Sequence, residues 1–130
     1  MERNVVGWFE IPVTDMERAI PFYQSVFDVQ LERHQMDPID MAWFPMLDEK
    51  TGSPGSLVCQ KDSYKPSHDG ALLYFTAQSG DLKNEVGRVE AAGGKILSPP
   101  KLITEEYGYM ALVEDTEGNR IAIHSQKHSA

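Results

Sequence analysis

The order of predicted elements repeats along this 130-residue chain, and the repeat constrains the fold more than any other feature. Both halves read as one strand, one helix and three further strands, with a period of about 65 residues. Both halves also carry a turn rich in Asp, Glu, Gly and Thr before the last strand, at 48–52 and 115–118. Each half alone is too small to bury a substantial core. The halves are therefore expected to pack together or to pair with another chain.

Each half is predicted to contain one helix. In the first half, Thr14 and Glu17 have the spacing of a capping box, in which each side chain bonds the backbone of the other. The helix that follows contains Pro21, which is expected to kink it without dividing it in two. In the second half, a helix is predicted from Asp81 to Ala92. The pair Gly93-Gly94 then ends it, because glycine adopts the left-handed conformation of a helix cap.

The last strand of the chain is predicted to direct a histidine away from the core. Side chains alternate between the two faces of a strand, so Ile121 and Ile123 share one face and His124 lies on the other. The apolar pair is expected to point into the core. Ala122 shares the face of His124, and the question is what this face contacts.

The first strand, predicted from Val5 to Val13, shows the same alternation. Trp8 and Glu10 share one face, and the more apolar residues of the strand share the other. If Glu10 and His124 point into one pocket, the carboxylate raises the pKa of the imidazole and fixes its tautomer, as acid/base chemistry requires. The alternatives are a purely structural hydrogen-bonded pair, or a role in recognising a ligand.

Composition excludes several classes of function. The net charge of −8 argues against nucleic-acid binding, which needs a basic surface. No apolar run reaches the roughly 20 residues of a membrane helix, and the first residues lack the core of a signal peptide. The single cysteine, Cys59, excludes an internal disulfide and is typical of a cytoplasmic protein. We interpret Cys59 as a small buried apolar residue rather than a nucleophile.

Three segments together resemble the vicinal oxygen chelate superfamily, the glyoxalase/bleomycin resistance/extradiol dioxygenase group. The first contains Phe-Glu-Ile-Pro-Val-Thr-Asp at 9–15, followed by Arg-Ala-Ile-Pro-Phe-Tyr at 18–23. The second is Val-Glu-Ala-Ala-Gly-Gly-Lys at 89–95. The third, at 108–125, contains Asp-Thr-Glu-Gly-Asn and Ile-Ala-Ile-His-Ser. One departure is Asp28, where the family usually has a glycine.

The resemblance implies an α+β fold, in which two tandem βαβββ modules form a curled mixed β-sheet around a cavity. It covers residues 1–130 as one domain, with module 1 at about 4–61 and module 2 at about 70–126. It also implies a homodimer, since closed two-fold pairing is the commonest assembly. The cavity is expected to hold an unknown small organic molecule.

Metal-dependent members of the family use His, Glu or Gln ligands on the first and last strands of the modules. The corresponding positions in this chain hold Trp8, Val58, Leu72 or Leu73, and Ala122. None of these side chains can bind a divalent ion. We therefore expect no metal and no glyoxalase I activity. A site begun by Glu10 and His124 would need a third donor from among His34, Asp40 and His68.

Aromatic residues on the predicted strands are candidates either for the core or for the lining of a ligand pocket. The candidate ligand-binding residues are Trp8, Trp43, Tyr74 and Tyr109. The first hypothesis for function is a metal-independent small-molecule-binding protein. The second is a lyase, isomerase or dioxygenase-type enzyme that uses Glu10 and His124, with or without a divalent metal. The third is a protein with a filled cavity that binds another protein through its surface.

Overall fold

The computed structural model describes residues 3–47 and 51–129. The elements in chain order are β1 (Phe9–Pro12), α1 (Met16–Phe27), β2 (Glu32–Met36), β3 (Ile39–Trp43), β4 (Gly55–Cys59), β5 (Tyr74–Thr76), α2 (Leu82–Val89), β6 (Lys95–Thr104), β7 (Gly108–Glu114) and β8 (Arg120–Ser125). Over these two described ranges, neither helix has the length and apolar character needed to cross a membrane.

The strands form two four-stranded sheets, ordered β1-β4-β3-β2 and β5-β8-β7-β6. In each sheet the first strand pairs parallel with the last strand of the same half, and the other pairs are antiparallel. The repeated βαβββ order and the α+β fold class are confirmed. Within the described ranges, no ladder of backbone hydrogen bonds joins the two sheets. The mixed sheet therefore consists of two separate halves.

Two predicted strands are shorter in the structure because their single partner strand limits them. β1 begins at Phe9 rather than Val5, since its partner β4 begins at Gly55, opposite Phe9. In the second half, the strand that opens module 2, predicted to begin at about residue 70, is ordered as a strand only over β5, where it pairs with β8. The predicted turn at 48–52 falls mostly outside the described residues.

The predicted capping box of α1 is wrong. The helix is capped by Asp15, whose side chain accepts a hydrogen bond from the backbone N–H of Arg18 at 3.2 Å. Glu17 instead pairs with Arg33 of β2 at 3.0 Å. Because Glu17 is bound to a neighbouring strand, it cannot reach back to the start of its own helix. The helix continues through Pro21 as one element, as expected.

The C-terminal end of α1 explains the departure at Asp28. This residue has a left-handed backbone conformation, with φ of 54°, and its N–H bonds the carbonyl of Gln24. Glycine adopts this conformation without steric cost, whereas in other residues the Cβ atom comes too close to the following carbonyl oxygen. Asp28 therefore occupies a position where the backbone conformation favours glycine.

The core lies between the two sheets and the two helices, which pack on each other. Each sheet turns one face towards this core, and Ile11 and Ile123 are buried there as their alternation predicts. Aromatic rings fill the centre: Phe27 stacks on Phe75 at 4.5 Å between ring centroids, and Tyr23 lies 5.7 Å from Phe44. Rings from both halves therefore share one core.

A buried hydrogen-bond network connects the halves near the turn between β7 and β8. Tyr23 of α1 donates its hydroxyl to Asp115 at 2.6 Å. Asn119 donates its side-chain amide to the carbonyl of Pro12 at 2.8 Å. Burial raises the pKa of Tyr23 well above its ordinary value, and the Asp115 carboxylate raises it further. The Tyr23 phenol is therefore held as a hydrogen-bond donor.

Glu117 binds the start of α1 from the other half of the chain. Its Oε1 accepts hydrogen bonds from the backbone N–H groups of Thr14 and Asp15, each at 2.9 Å, and its Oε2 lies 2.6 Å from Nε of Arg18. Burial of Glu117 opposes its ionisation, but these hydrogen bonds dominate and lower its pKa to about 2. The carboxylate also lies at the positive end of the helix dipole.

Candidate functional site

In the part of the chain that the structure describes, each sheet has one face that no helix covers, and strand alternation assigns the residues of both faces. In the first sheet Ile11, Ala42 and Leu57 point into the core. Their neighbours along the strands therefore point to the opposite side, which we call the first open face. Its residues are Trp8, Glu10, His34, Met41, Trp43, Ser56 and Val58.

Three aromatic side chains form a row across the first open face. Trp43 lies in the middle, with its ring centroid 5.9 Å from that of Trp8 and 3.8 Å from that of His34. The two indole planes are nearly perpendicular, at 84°. Trp8 is 37% exposed, so part of a large apolar ring faces solvent. The row therefore offers rings on which a flat molecule can stack.

Two buried nitrogen atoms in this row have no hydrogen-bond partner within the described part of the chain. Nε1 of Trp43 is buried and donates no hydrogen bond. Buried polar groups are nearly always satisfied, because an unpaired donor costs about 1–3 kcal/mol. On the other side of the row, Nε2 of His34 lies 2.8 Å from Oε1 of Glu32, in a contact without hydrogen-bond geometry. The indole N–H of Trp43 is thus a buried donor without an acceptor among the described residues.

Glu10 lies beside the row and is held by two donors. Its Oε2 accepts from Nε1 of Trp8 at 3.3 Å, and its Oε1 accepts from the hydroxyl of Tyr64 at 2.5 Å. The hydrogen bond to Glu10 raises the pKa of Tyr64, and burial adds a smaller contribution in the same direction. Tyr64 lies between β4 and β5, in a segment without apolar periodicity. Nothing in the sequence pattern therefore predicted that Tyr64 belongs to this face.

The second open face belongs to the second sheet and contains His124. Alternation places it with Tyr74, Met110 and Ala122, opposite to the core residues Ala111 and Ile123. Nε2 of His124 lies 2.5 Å from the carbonyl oxygen of Tyr107. A carbonyl only accepts, so the imidazole donates through Nε2 and leaves Nδ1 as an acceptor when it is neutral. His124 also borders an open cleft of about 820 Å³ near the start of α2.

The structure brings some of the predicted site residues together and separates others. Trp8 and Trp43 are in contact. Glu10 and His124 lie on open faces of different sheets and have different partners. Across residues 3–47 and 51–129, no hydrogen bond or ion pair joins these two side chains.

Tyr74 and Tyr109 lie away from the aromatic row. Tyr74 belongs to the second open face and is 54% exposed. Tyr109 is not on an open face: it shares the core-facing side of β7 with Ala111 and Val113. It packs against the core, and its ring lies 5.4 Å from the ring of His128. Of the two alternatives for aromatic strand residues, core or pocket lining, the packing of Tyr109 favours the core.

His34 belongs to the first open face, whereas the sequence indicated it only as a possible third donor of a metal site. Its strand β2 pairs with β3 so that His34 stands opposite Met41. The signal for this position was strand alternation combined with the short turn after Met36. Strand alternation alone did not assign His34 to a face, because the register of a hairpin depends on the geometry of its turn.

The internal repeat allows the metal-ligand positions of the family to be located more accurately. Ser56 stands opposite Glu10 in β4, as Ala122 stands opposite Tyr74 in β8. The equivalent of Ala122 in the first half is therefore Ser56, two residues before Val58. The Ser56 hydroxyl is buried and already donates to a backbone carbonyl.

The fifth-strand position is resolved as Leu72, because Leu73 packs against the core. The full set of family positions is thus Trp8, Ser56, Leu72 and Ala122. These side chains do not fit a divalent ion, which needs several nitrogen, oxygen or sulfur donors. Elsewhere in the part of the chain that the structure describes, no group of three or more His, Cys, Asp or Glu residues could hold one.

A sequence model of the Glyoxalase/Bleomycin resistance protein/Dioxygenase superfamily matches residues 5–123 of this chain. No curated protein sequence matches it significantly. A matched solved structure is a mutant of glyoxalase I from Zea mays, with a TM-score of 0.73 and 19% identity. The match covers 92% of this chain and 45% of the maize chain, so this chain spans less than half the length of that protein.

Two matched structures have a length close to that of this chain. A glyoxalase/bleomycin resistance protein from Albidiferax ferrireducens has a TM-score of 0.69 and 17% identity, over 95% of this chain and 100% of that one. A glyoxalase/bleomycin resistance protein/dioxygenase family enzyme from Burkholderia phytofirmans has a TM-score of 0.65 and 18% identity, over 93% and 98% of the two chains. At these identities the structures are similar in fold.

Proposed function

Because this chain belongs to the glyoxalase/bleomycin resistance protein/dioxygenase superfamily, we propose that it is a metal-independent small-molecule-binding protein whose ligand lies on the first open face. The observation that carries the proposal is the buried, unpaired Nε1 of Trp43 in the aromatic row. A ligand acceptor at this atom offsets the cost of an unsatisfied donor.

The residues around Trp43 define the class of ligand. The rings of Trp8 and His34 flank it and favour a flat organic molecule, since stacked or edge-on rings add to the free energy of burial. Glu10, beside Trp8, offers a carboxylate to a donor group on the ligand. The ligand is therefore a planar organic compound with an acceptor for Trp43 and a donor for Glu10.

A second copy of the chain would close the site, and we include a homodimer in this proposal. Each chain has two sheet faces that no helix covers, and several large apolar residues near them are exposed, including Trp8, Met36 and Tyr74. A site on one uncovered sheet is shallow, whereas ligand pockets usually bury most of a bound molecule. Two-fold pairing of open faces would provide the missing wall.

The enzymatic alternative requires Glu10 and His124 in one pocket. Within one chain these residues belong to different sheets and are bound to Tyr64 and to the Tyr107 carbonyl. Both do lie on open faces, so pairing of copies is the one arrangement that could bring them together. Binding without catalysis needs no such arrangement, and we therefore favour it.

The intrinsic tryptophan fluorescence of the chain can report ligand binding at this site. It contains two tryptophans, Trp8 and Trp43, and both belong to the first open face. Titration of a panel of planar heteroaromatic compounds should quench this intrinsic fluorescence saturably for at least one compound. Trp43→Phe keeps a ring but removes the N–H, and should weaken that binding about tenfold, which corresponds to about 1.4 kcal/mol.

Two matched variants complete this test. Tyr107→Phe alters an exposed aromatic residue outside the first open face and should leave the affinity unchanged. Glu10→Gln should weaken binding of compounds that carry a donor group and spare those without one. Absence of saturable quenching by every compound, or equal affinity of the Trp43→Phe variant, would exclude the first open face as the binding site.

A further inference from the structure

A second cavity lies at the edges of β1 and β5, where the two halves of the chain meet, and Tyr74 of the second open face belongs to its lining. It has a volume of about 420 Å³. Four phenylalanine rings line it, and each belongs to the aromatic centre of the core: Phe9, Phe27, Phe44 and Phe75. We propose that this cavity is a binding site for an uncharged, hydrophobic molecule of two or three rings.

The phenylalanine rings of the cavity are held in place by contacts with one another and with the backbone. Phe75 lies 4.5 Å from Phe27, 5.7 Å from Phe44 and 6.0 Å from Phe9. Gly55 allows the Phe9 ring to lie against its backbone, because a Cβ at this position would collide with the ring. Phe9, Phe44 and Phe75 are only partly buried, so their free surfaces face the cavity. The apolar wall is therefore already formed without a ligand.

The chemistry of the lining selects against charged molecules. All of the described residues that line the cavity are apolar or uncharged, and the polar ones are Thr51, Ser53, Thr76 and Gln78, with Tyr74. The described residues of the lining offer an ionised ligand group no opposite charge in return for the water that it loses, and this loss is costly. A neutral hydroxyl, amide or ether group can bond the Thr, Ser and Gln side chains.

The size of the cavity sets the size of the ligand. An apolar protein cavity of about 150 Å³ accommodates one benzene ring. The volume of about 420 Å³ therefore fits roughly two or three such rings. It also falls in the range of about 300–1,000 Å³ that is typical of small-molecule pockets. Single-ring compounds would leave part of the phenylalanine wall uncovered.

A pair of fluorescent probes that differ by one charge tests the site. Phenylnaphthylamine is uncharged and has three rings, and anilinonaphthalene sulfonate is the same framework with a sulfonate group. Both emit strongly only in apolar surroundings. The unmodified protein should bind the uncharged probe with one probe per chain, and bind the sulfonate about tenfold more weakly or not at all.

Neighbouring valines supply matched variants. Val6 lines the cavity and is 57% exposed, whereas Val5 is outside it and 88% exposed. Val6→Glu should weaken binding of the uncharged probe about fivefold or more, and Val5→Glu should not. Val6→Lys should strengthen binding of the sulfonate, because it adds a cation at the rim, and Val5→Lys should not. Both positions are exposed, so the variants should fold, which circular dichroism will check.

Three results would overturn the proposal. The first is equal probe affinity in the Val6→Glu and Val5→Glu variants. The second is loss of the uncharged probe in a Trp8→Ala variant, which would place the probe on the first open face. The third is release of the probe as the protein concentration rises, which would show that a second copy of the chain fills the cavity. Failure of ligand binding on the first open face changes none of these readouts.

Discussion

The hydroxyl of Tyr23 donates to Oδ2 of Asp115 at 2.6 Å, across 92 residues of sequence. Tyr23 is fully buried and Asp115 is 3% exposed. Asp115 also accepts from the backbone N–H groups of Glu117 and Asn119, at 2.8 and 2.9 Å. The pair therefore fixes the turn between β7 and β8 against α1.

Removing the hydroxyl of Tyr23 should destabilise the fold. Tyr23→Phe leaves the ring in the core but takes one donor from a buried carboxylate, so the free energy of unfolding should fall by about 1–3 kcal/mol. Urea denaturation will measure this change. Tyr64→Phe is the control: it removes the hydroxyl that Glu10 accepts on an exposed face, and should change stability by less than about 0.5 kcal/mol.

Glu117 should make stability depend on pH in the acid range. Its pKa is about 2 in the folded protein, below the ordinary value of 4.5. A carboxyl group with a lowered folded pKa contributes stability above its unfolded pKa and loses it as the pH falls towards the folded pKa. The free energy of unfolding should therefore decline between these two pH values.

Glu117→Gln should remove part of this decline and lower stability at neutral pH by about 2 kcal/mol, because bonds to a charged acceptor are lost. Thermal unfolding from pH 7 to pH 2 provides the measurement. Glu106→Gln, in the exposed turn between β6 and β7, is the charge-matched control and should retain the full pH dependence. Parallel curves for all three proteins would contradict the assignment.

Replacing Asp28 by glycine should stabilise the protein. The residue has a positive φ of 54° and lies at the negative end of the α1 dipole, so its Cβ and its charge are both unfavourable. We expect Asp28→Gly to raise the free energy of unfolding by about 0.5 kcal/mol. Asp28→Asn, which removes the charge but keeps the side chain, should recover less. A loss of stability in Asp28→Gly would show that the Asp side chain has a role of its own.

The protein should bind no stoichiometric metal. The family ligand positions hold Trp8, Ser56, Leu72 and Ala122, which offer at most one hydroxyl oxygen. Elemental analysis of untagged protein should find well under one equivalent of Zn, Ni, Fe or Mn. The melting temperature should also be unchanged by a chelator. Metal that survives dialysis against a chelator, near one equivalent per chain, would support the enzymatic alternative.

The homodimer can be tested by light scattering at micromolar concentrations, where we expect twice the mass of the chain. Tyr74→Glu places a charge on the second open face, where Tyr74 is 54% exposed, and should shift the protein towards the monomer. Tyr107→Glu changes a residue that is 60% exposed in the turn between β6 and β7, and should leave the mass unchanged. A monomer mass for the unmodified chain at all concentrations would contradict the dimer.

The sequence predicted those features that depend on local patterns. In β1, alternation placed Ile11 and Glu10 on opposite faces of the strand, and Ile11 is in the core. In β8 it did the same for Ile123 and His124, and Ile123 is in the core. Both predictions succeeded because the side-chain period of a strand is fixed by its backbone. Trp8 and Trp43 were both proposed as ligand-binding residues, and their contact agrees with a common face.

The features that the sequence did not reveal depend on long-range geometry. Thr14 appeared to be capped by the nearby Glu17, but Glu117 binds it instead, from a turn of the other half. The separation of Glu10 from His124 follows from the strand order of the two sheets, which alternation does not encode. Tyr64 belongs to the site through its hydrogen bond to Glu10, but it lies in a segment whose sequence has no apolar periodicity.

The position of Glu117 also affects when the start of α1 can be completed during synthesis of the chain. The chain is synthesised from its N-terminus, so α1 leaves the ribosome before the residues that bind its first turn. The backbone N–H groups of Thr14 and Asp15 bond a carboxylate 103 and 102 residues later in the chain. Contacts of such long range form late in folding. The start of α1 therefore gains this partner only after residue 117 has left the ribosome, and a nascent chain that stops before Glu117 lacks it.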